Sequence, residues 1–228
     1  MSIFHTAVAK CPGCNTRAEV ERVASVNADR RPDQREAIID GSFQAQPCAQ
    51  CGAPLRLAPH LSYLDIGRGN WILAEDVDEI ANWSAHEAEA RALFDGTFGP
   101  GAPAPVRELG EGLRPRLVFG WPALREKLLC SAMGIDDLAL ELLKAAVMRF
   151  VPAVPLGRQG VSMRLTAADT ETVVLTAMKD ASESRIVETE VPRGLLADIS
   201  GDHKPWAAMR EVLERQVFLD LNRILIAA

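Results

Sequence analysis

The period of the apolar positions changes several times along the chain. Residues 17–27 interleave Ala18, Val20 and Val23 with Arg17, Glu19 and Glu21, which predicts a strand. Pro32 opens a short helix that runs to Asp40 and closes at Gly41. Leu55 to Ile66 reads as a strand interrupted at Pro59, and Gly67-Arg68-Gly69-Asn70 as a turn before the apolar run Trp71-Ile72-Leu73-Ala74. Ser84-Ala85-His86-Glu87 has capping-box spacing and starts a helix predicted to stop at Gly96. Gly99-Pro100-Gly101-Ala102-Pro103-Ala104-Pro105 then predicts an irregular, flexible connection.

Beyond it the pattern predicts a strand at Arg116–Phe119 and a helix from Trp121-Pro122 to Gly134. The next helix, Asp136 to Arg149, is apolar except for a narrow stripe of Asp137, Glu141 and Lys144. Three stretches with period-two alternation follow, at Val161–Thr166, Thr172–Met178 and Val187–Val191. Short polar turns between them imply an antiparallel meander. A last helix is predicted from Pro205, with Trp206, Met209, Leu213, Val217, Leu221 and Ile224 on one face. Phe218, Leu219, Leu225 and Ile226 project at other angles. A homodimer or a protein partner is expected to cover them.

These elements predict an α+β protein in three parts. Residues 1–75 form a zinc ribbon with a helical insertion, 76–112 an acidic helix and Pro/Gly-rich linker, and 113–228 a helical, antiparallel-sheet domain. With 48% hydrophobic and 25% charged residues, the composition excludes a disordered chain. No apolar run is long enough to span a membrane, and the first residues carry no secretory pattern, so a cytoplasmic protein is expected. The net charge of −6 arises within 76–112, where eight acids oppose Arg91 and Arg107. No segment is strongly basic, which argues against nucleic-acid binding.

Cys11-Pro12-Gly13-Cys14 and Cys48-Ala49-Gln50-Cys51 are paired Cys-x-x-Cys loops. Each such turn aims two sulfurs at one point, and two turns supply a closed tetrahedron for zinc. Pro12 stiffens the first turn, and Gly13 and Gly52 are expected to supply positive φ. A redox dithiol needs only one pair, and disulfides are disfavoured in a reducing compartment. Four thiolates leave no coordination position for water, so the zinc is read as structural. Cys130, inside a predicted helix, reads as a plain buried thiol.

No nucleophile elbow, phosphate loop, dinucleotide fingerprint or zinc-protease motif is present, and the four histidines are scattered. The polar phrase Asn27-Ala28-Asp29-Arg30-Arg31-Pro32 reads first as helix-entry chemistry, with Asn27 or Asp29 as the cap. Its functional alternative makes Arg30 and Arg31, together with Arg68, candidate contacts for an anionic ligand or partner.

The N-terminal part resembles the bacterial CpXC domain family. The resemblance rests on Cys11-Pro12-Gly13-Cys14, on the phrase from Val26 to Phe43, and on Cys48-x-x-Cys51-Gly52. It extends more loosely through Tyr63 to Trp71. Ala49 stands where the family usually has proline, a change that loosens the turn and spares the ligands. The resemblance implies the ribbon and its zinc, and it implies no activity. The expected function is therefore a non-catalytic binding or adaptor protein. The alternatives are an enzyme or accessory enzyme subunit with its site in the C-terminal domain, and a nucleic-acid-associated zinc ribbon.

Overall fold

The computed structural model describes residues 3–150, 160–201 and 204–226. Its first sheet contains β1 (Ile3–Lys10), β2 (Arg17–Asn27), β5 (Leu61–Asp65), β6 (Asn70–Glu75) and β7 (Arg114–Phe119). They lie in the order β1-β2-β5-β6-β7. The β1–β2 and β5–β6 pairs are antiparallel, whereas β2–β5 and β6–β7 are parallel. Between β2 and β5 come α1 (Pro32–Asp40) and the small hairpin of β3 (Ala45–Pro47) and β4 (Pro54–Arg56).

The apolar run Trp71–Ala74 is explained by burial on both faces of β6. Ile72 and Ala74 join Ile38, Phe43, Trp121, Leu124 and Leu128 on the face covered by α1 and α4 (Trp121–Met133). Trp71 and Leu73 pack on the other face with Ala90 and Phe94 of α2 (Trp83–Phe98) and with Phe218. Helix α4 lies between this sheet and the antiparallel meander β8 (Val161–Ala168), β9 (Thr172–Lys179) and β10 (Ser184–Pro192). Its Cys130 and Leu129 reach a second core that also holds α5 (Asp137–Phe150), α6 (Gly194–Gly201) and one face of the meander. Among the described residues the fold is thus α+β, with eight helices and three sheets.

Several expectations need correcting. Gly96 does not stop α2, because the helix continues to Phe98 and ends at Gly99. The Pro/Gly-rich stretch is partly helical: Pro103 caps α3 (Ala104–Glu111) and Pro105 sits in its first turn, where its missing N–H costs nothing. Strand β7, from beyond that stretch, pairs with β6 and so belongs to the first sheet. The polar stripe Asp137, Glu141 and Lys144 is buried together with the apolar faces of α5.

The largest correction concerns the C-terminus. The helix predicted from Pro205 is two short ones, α7 (Ala207–Leu213) and α8 (Asn222–Ile226), with an inserted segment between them. Val217, Phe218, Leu219 and Leu221 are buried inside the chain, so Phe218 and Leu219 do not form an exposed patch. The side chains of Leu225 and Ile226 lie outside the described residues. A buried backbone without flanking strands must find its partners elsewhere. Here charged side chains supply most of them. Glu87 Oε1 accepts from the amides of Val217 (2.8 Å) and Phe218 (3.0 Å). Lys127 donates to the Leu219 carbonyl at 2.8 Å, and Glu141 accepts from the Leu221 amide at 2.8 Å. The Val217 carbonyl accepts from Leu117 of β7 at 2.9 Å.

Lys127 and Glu141 belong to a buried cluster, whereas Glu87 pairs with Arg223 at 2.8 Å. Lys144 bridges Glu126 (2.7 Å) and Glu141 (2.9 Å), and Arg164 of β8 bridges Asp220 (2.5 Å) and Glu126 (3.3 Å). Arg116 (2.6 Å) and Lys127 (3.2 Å) share Asp137. Four cations therefore face four carboxylates in these pairs. Burial alone would raise the pKa of Asp220. Arg164 and Lys144 reverse that effect and hold it at about 2.

Glu87→Ala removes the acceptor of two buried amides and the partner of Arg223, and should cost about 3–5 kcal/mol in urea denaturation. Asp220 has a lower pKa in the folded chain than in the unfolded one, so its contribution is complete above about pH 4 and is lost as pH falls through 2. The urea midpoint should drop over that window, and the drop should be shallower in Asp220→Asn.

Candidate metal centre

Two loops of the same construction meet at the end of the β1–β2 and β3–β4 hairpins. In the first, the Cys11 carbonyl accepts from Asn15 (2.9 Å) and the Cys11 amide donates to Thr16 (2.9 Å). In the second, the Cys48 carbonyl accepts from Gly52 (2.8 Å) and the Cys48 amide donates to Ala53 (2.8 Å). The fourth residue after the first cysteine has positive φ in both, 61° at Asn15 and 70° at Gly52. Gly13 is not left-handed, contrary to expectation, and its requirement is space. A Cβ there would lie 2.8 Å from Cβ of Ala53 and 3.3 Å from Sγ of Cys51. Thr16 Oγ1 ties the loops together by donating to Gln50 Oε1 at 2.5 Å.

All four sulfurs lie within 4.8 Å of one another. Cys11 and Cys51 are 3.6 Å apart, and Cys14 and Cys48 are 3.7 Å apart. A tetrahedral zinc with sulfurs at about 2.3 Å sets them about 3.8 Å from each other, so the donor set fits that ion. The Gly13 amide points at Cys11 Sγ from 3.4 Å, as expected around a thiolate. The thiols cannot all ionise unaided. The Thr16 hydroxyl and amide lower Cys14 to about 6. At Cys51 the Ala53 amide favours the thiolate, yet Cys14 and Cys11 beside it push the pKa up to about 12. A divalent cation removes that conflict and, when bound, supplies a fixed cross-link between the two loops. Cys11 and Cys48 are buried, Cys14 is half-buried and Cys51 exposed.

The loops are also tied to the rest of the molecule. Arg56, at the end of β4, stacks over Trp121 at 4.7 Å and pairs with Glu183 in the β9–β10 turn at 3.0 Å. Glu183 also pairs with Arg125 of α4. The matched roles of Asn15 and Gly52 could be read from their equal offset to Cys11 and Cys48. Glu183 has no local signal, because its partners are brought to it only by the fold.

The arginine candidates separate. Arg31 is engaged by Asp33 at 2.7 Å, and Arg30 is exposed. Neither Asn27 nor Asp29 caps α1, whose N-cap is Arg31. Asp29 instead accepts from the amides of Ile66 (2.8 Å) and Gly67 (3.0 Å) and so fixes the turn before β6. Arg68 lines a cleft that includes none of the four cysteines. Cys130 is a buried thiol whose pKa is raised by burial.

Metal analysis of a zinc-replete preparation should give one zinc per chain, and Cys48→Ser should abolish it. Gly13→Ala, which crowds Ala53 and Cys51, should weaken zinc retention against a chelator while Gly96→Ala, in open space on α2, should not. Less than half an equivalent in the wild-type protein would contradict the site.

No curated protein and no solved structure matches this chain. The model of the family described as CpXC protein matches residues 9–144, from the end of β1 to the middle of α5. That span holds all four clustered cysteines and four complete strands of the first sheet, and it covers more than half of the sequence. The chain belongs to the CpXC family.

Proposed function

We propose that this chain is a zinc-stapled, non-catalytic binding protein that acts through contact with a protein partner. In this reading the two cysteine loops and the β3–β4 hairpin form a zinc ribbon, with α1 as its helical insertion. The observation that carries it is the donor set itself. Four thiolates from the chain fill a tetrahedral ion and leave no position for water or substrate. The C-terminal half supports the same reading, because Glu126, Glu141, Lys144, Arg164 and Asp220 are spent on each other and on backbone amides. A cytoplasmic setting belongs to the proposal, since free thiols persist as zinc ligands in a reducing compartment. Among the described residues no helix is long and apolar enough to cross a membrane.

The surface we assign to the partner is formed by α2 and α3. Glu89, Asp95, Glu108 and Glu111 are exposed there, beside Leu93 and Leu109, which are 45% and 43% exposed. An acidic face with apolar side chains favours a basic protein surface and repels nucleic acid. Self-pairing through this face would set like charges together, so a hetero-complex is the reading we adopt.

Cross-linking and affinity capture from the native host, with tagged wild-type chain and a Glu89→Lys, Asp95→Lys, Glu108→Lys variant, test this. The expected result is one salt-sensitive partner captured by the wild type and lost by the folded variant. Equal capture by both, or no specific partner, would contradict the assignment. An anisotropy titration with DNA or RNA at physiological salt should show no affinity tighter than about 10⁻⁶ M.

A further inference from the structure

A cleft of about 540 Å³ opens between the starts of β6 and β7 on one side and the α4–α5 corner on the other. Topology builds it. Strands β6 and β7 are parallel, so Asn70 and Arg114 enter the sheet side by side, and the Arg114 amide donates to the Gly69 carbonyl at 2.8 Å. The turn at Ile66–Arg68 thereby hangs over the same rim, with Ser131 of α4 donating to the Arg68 carbonyl at 3.3 Å.

The walls carry more positive than negative charge, the reverse of the chain's net −6. Arg68, Arg114, Arg116 and Lys127 face Asp136 and Asp137. Asp137 is fully used, with one oxygen 2.6 Å from Arg116 and 3.2 Å from Lys127 and the other 3.1 Å from Arg116. Asp136 accepts from the Ala139 amide at 3.1 Å, and its other oxygen is 3.8 Å from Arg114. Among the described residues no carboxylate pairs with Arg68. Nδ2 of Asn70 is shielded from solvent and has no acceptor, which is costly for a buried amide donor.

We propose that this cleft binds a small organic oxyanion, a phosphorylated or carboxylated molecule. Its anionic group sits between Arg68 and Arg114. Two guanidinium groups presented from a turn and a strand end match the planar, two-point geometry of phosphate and carboxylate oxygens. Arg116 and Lys127, held by Asp137, form the fixed positive wall behind them. The remaining volume, bounded by Ile135 and Ser131, holds the body of the ligand. This site is separate from the thiolate centre and from the acidic face of α2 and α3.

The test is isothermal titration of the zinc-loaded, full-length protein with inorganic phosphate and with succinate at constant ionic strength. Saturable binding of at least one probe is expected. Arg68→Gln and Arg114→Gln should each weaken it at least about tenfold, whereas Arg185→Gln, on the far edge of the meander, should leave it unchanged. Arg68 and Arg114 are exposed, so an unchanged urea midpoint shows that the variants remain folded. The stronger of the two probes identifies the anionic group. Absence of saturation with both probes, or equal binding by wild type and the Arg68→Gln, Arg114→Gln double variant, would overturn the proposal.

Discussion

Residues 217–221 run through the interior as an inserted segment, and the groups that receive their backbone organise much of what surrounds them. Glu87 of α2, Lys127 of α4 and Glu141 of α5 each hold part of that stretch, and Arg164 of β8 holds Asp220 within it. Four elements from distant parts of the sequence are thus fixed relative to one another by a single piece of chain. Burying these charged groups is expensive, and ion pairs rarely return the full desolvation cost. The gain here is specificity. An apolar replacement could fill the same volume, but it would leave the amides of Val217, Phe218 and Leu221 without acceptors, so only one path for the segment satisfies the core.

This arrangement also explains which features were legible in the sequence. The meander β8–β10 was readable because its alternation is local, and the ends of α1 and α4 were marked by Pro32, Gly41, Pro122 and Gly134. The metal loops were readable because cysteine spacing fixes geometry within a few residues. The apolar faces of α5 marked it as mostly buried, but a stripe of Asp137, Glu141 and Lys144 looks the same in sequence whether it meets water or buried partners. Those partners, Arg116, Lys127 and Glu126, lie on other elements. The C-terminal helix was misjudged for a related reason. Leu213, Val217, Leu221 and Ile224 fit a helical stripe, yet Glu87 and Lys127 offer residues 217–219 hydrogen bonds that outcompete helix formation.

The candidate sites divide in the same way. Arg31 has a local partner in Asp33, and Asp29 is explained by the amides of the distant turn at Ile66 and Gly67 that the sheet brings to it. Arg68 gains meaning only because β7 returns from beyond α3 to lie beside β6, which places Arg114 across from it. The thiolate centre, for its part, is not an isolated appendage. Arg56 links it to Trp121 and, through Glu183, to Arg125 and the turn of the meander.

Two devices therefore hold the fold, a pair of loops whose four cysteines fit a zinc ion and a charge-lined core around the C-terminal segment. Hydrogen exchange followed residue by residue, before and after zinc is removed by a chelator, tests that separation directly. The account predicts that chelation strips protection from residues 11–16 and 45–57 while the amides of Val217, Phe218 and Leu221 stay in the slowest-exchanging class. Rapid exchange at those three amides in the zinc-loaded protein would contradict it.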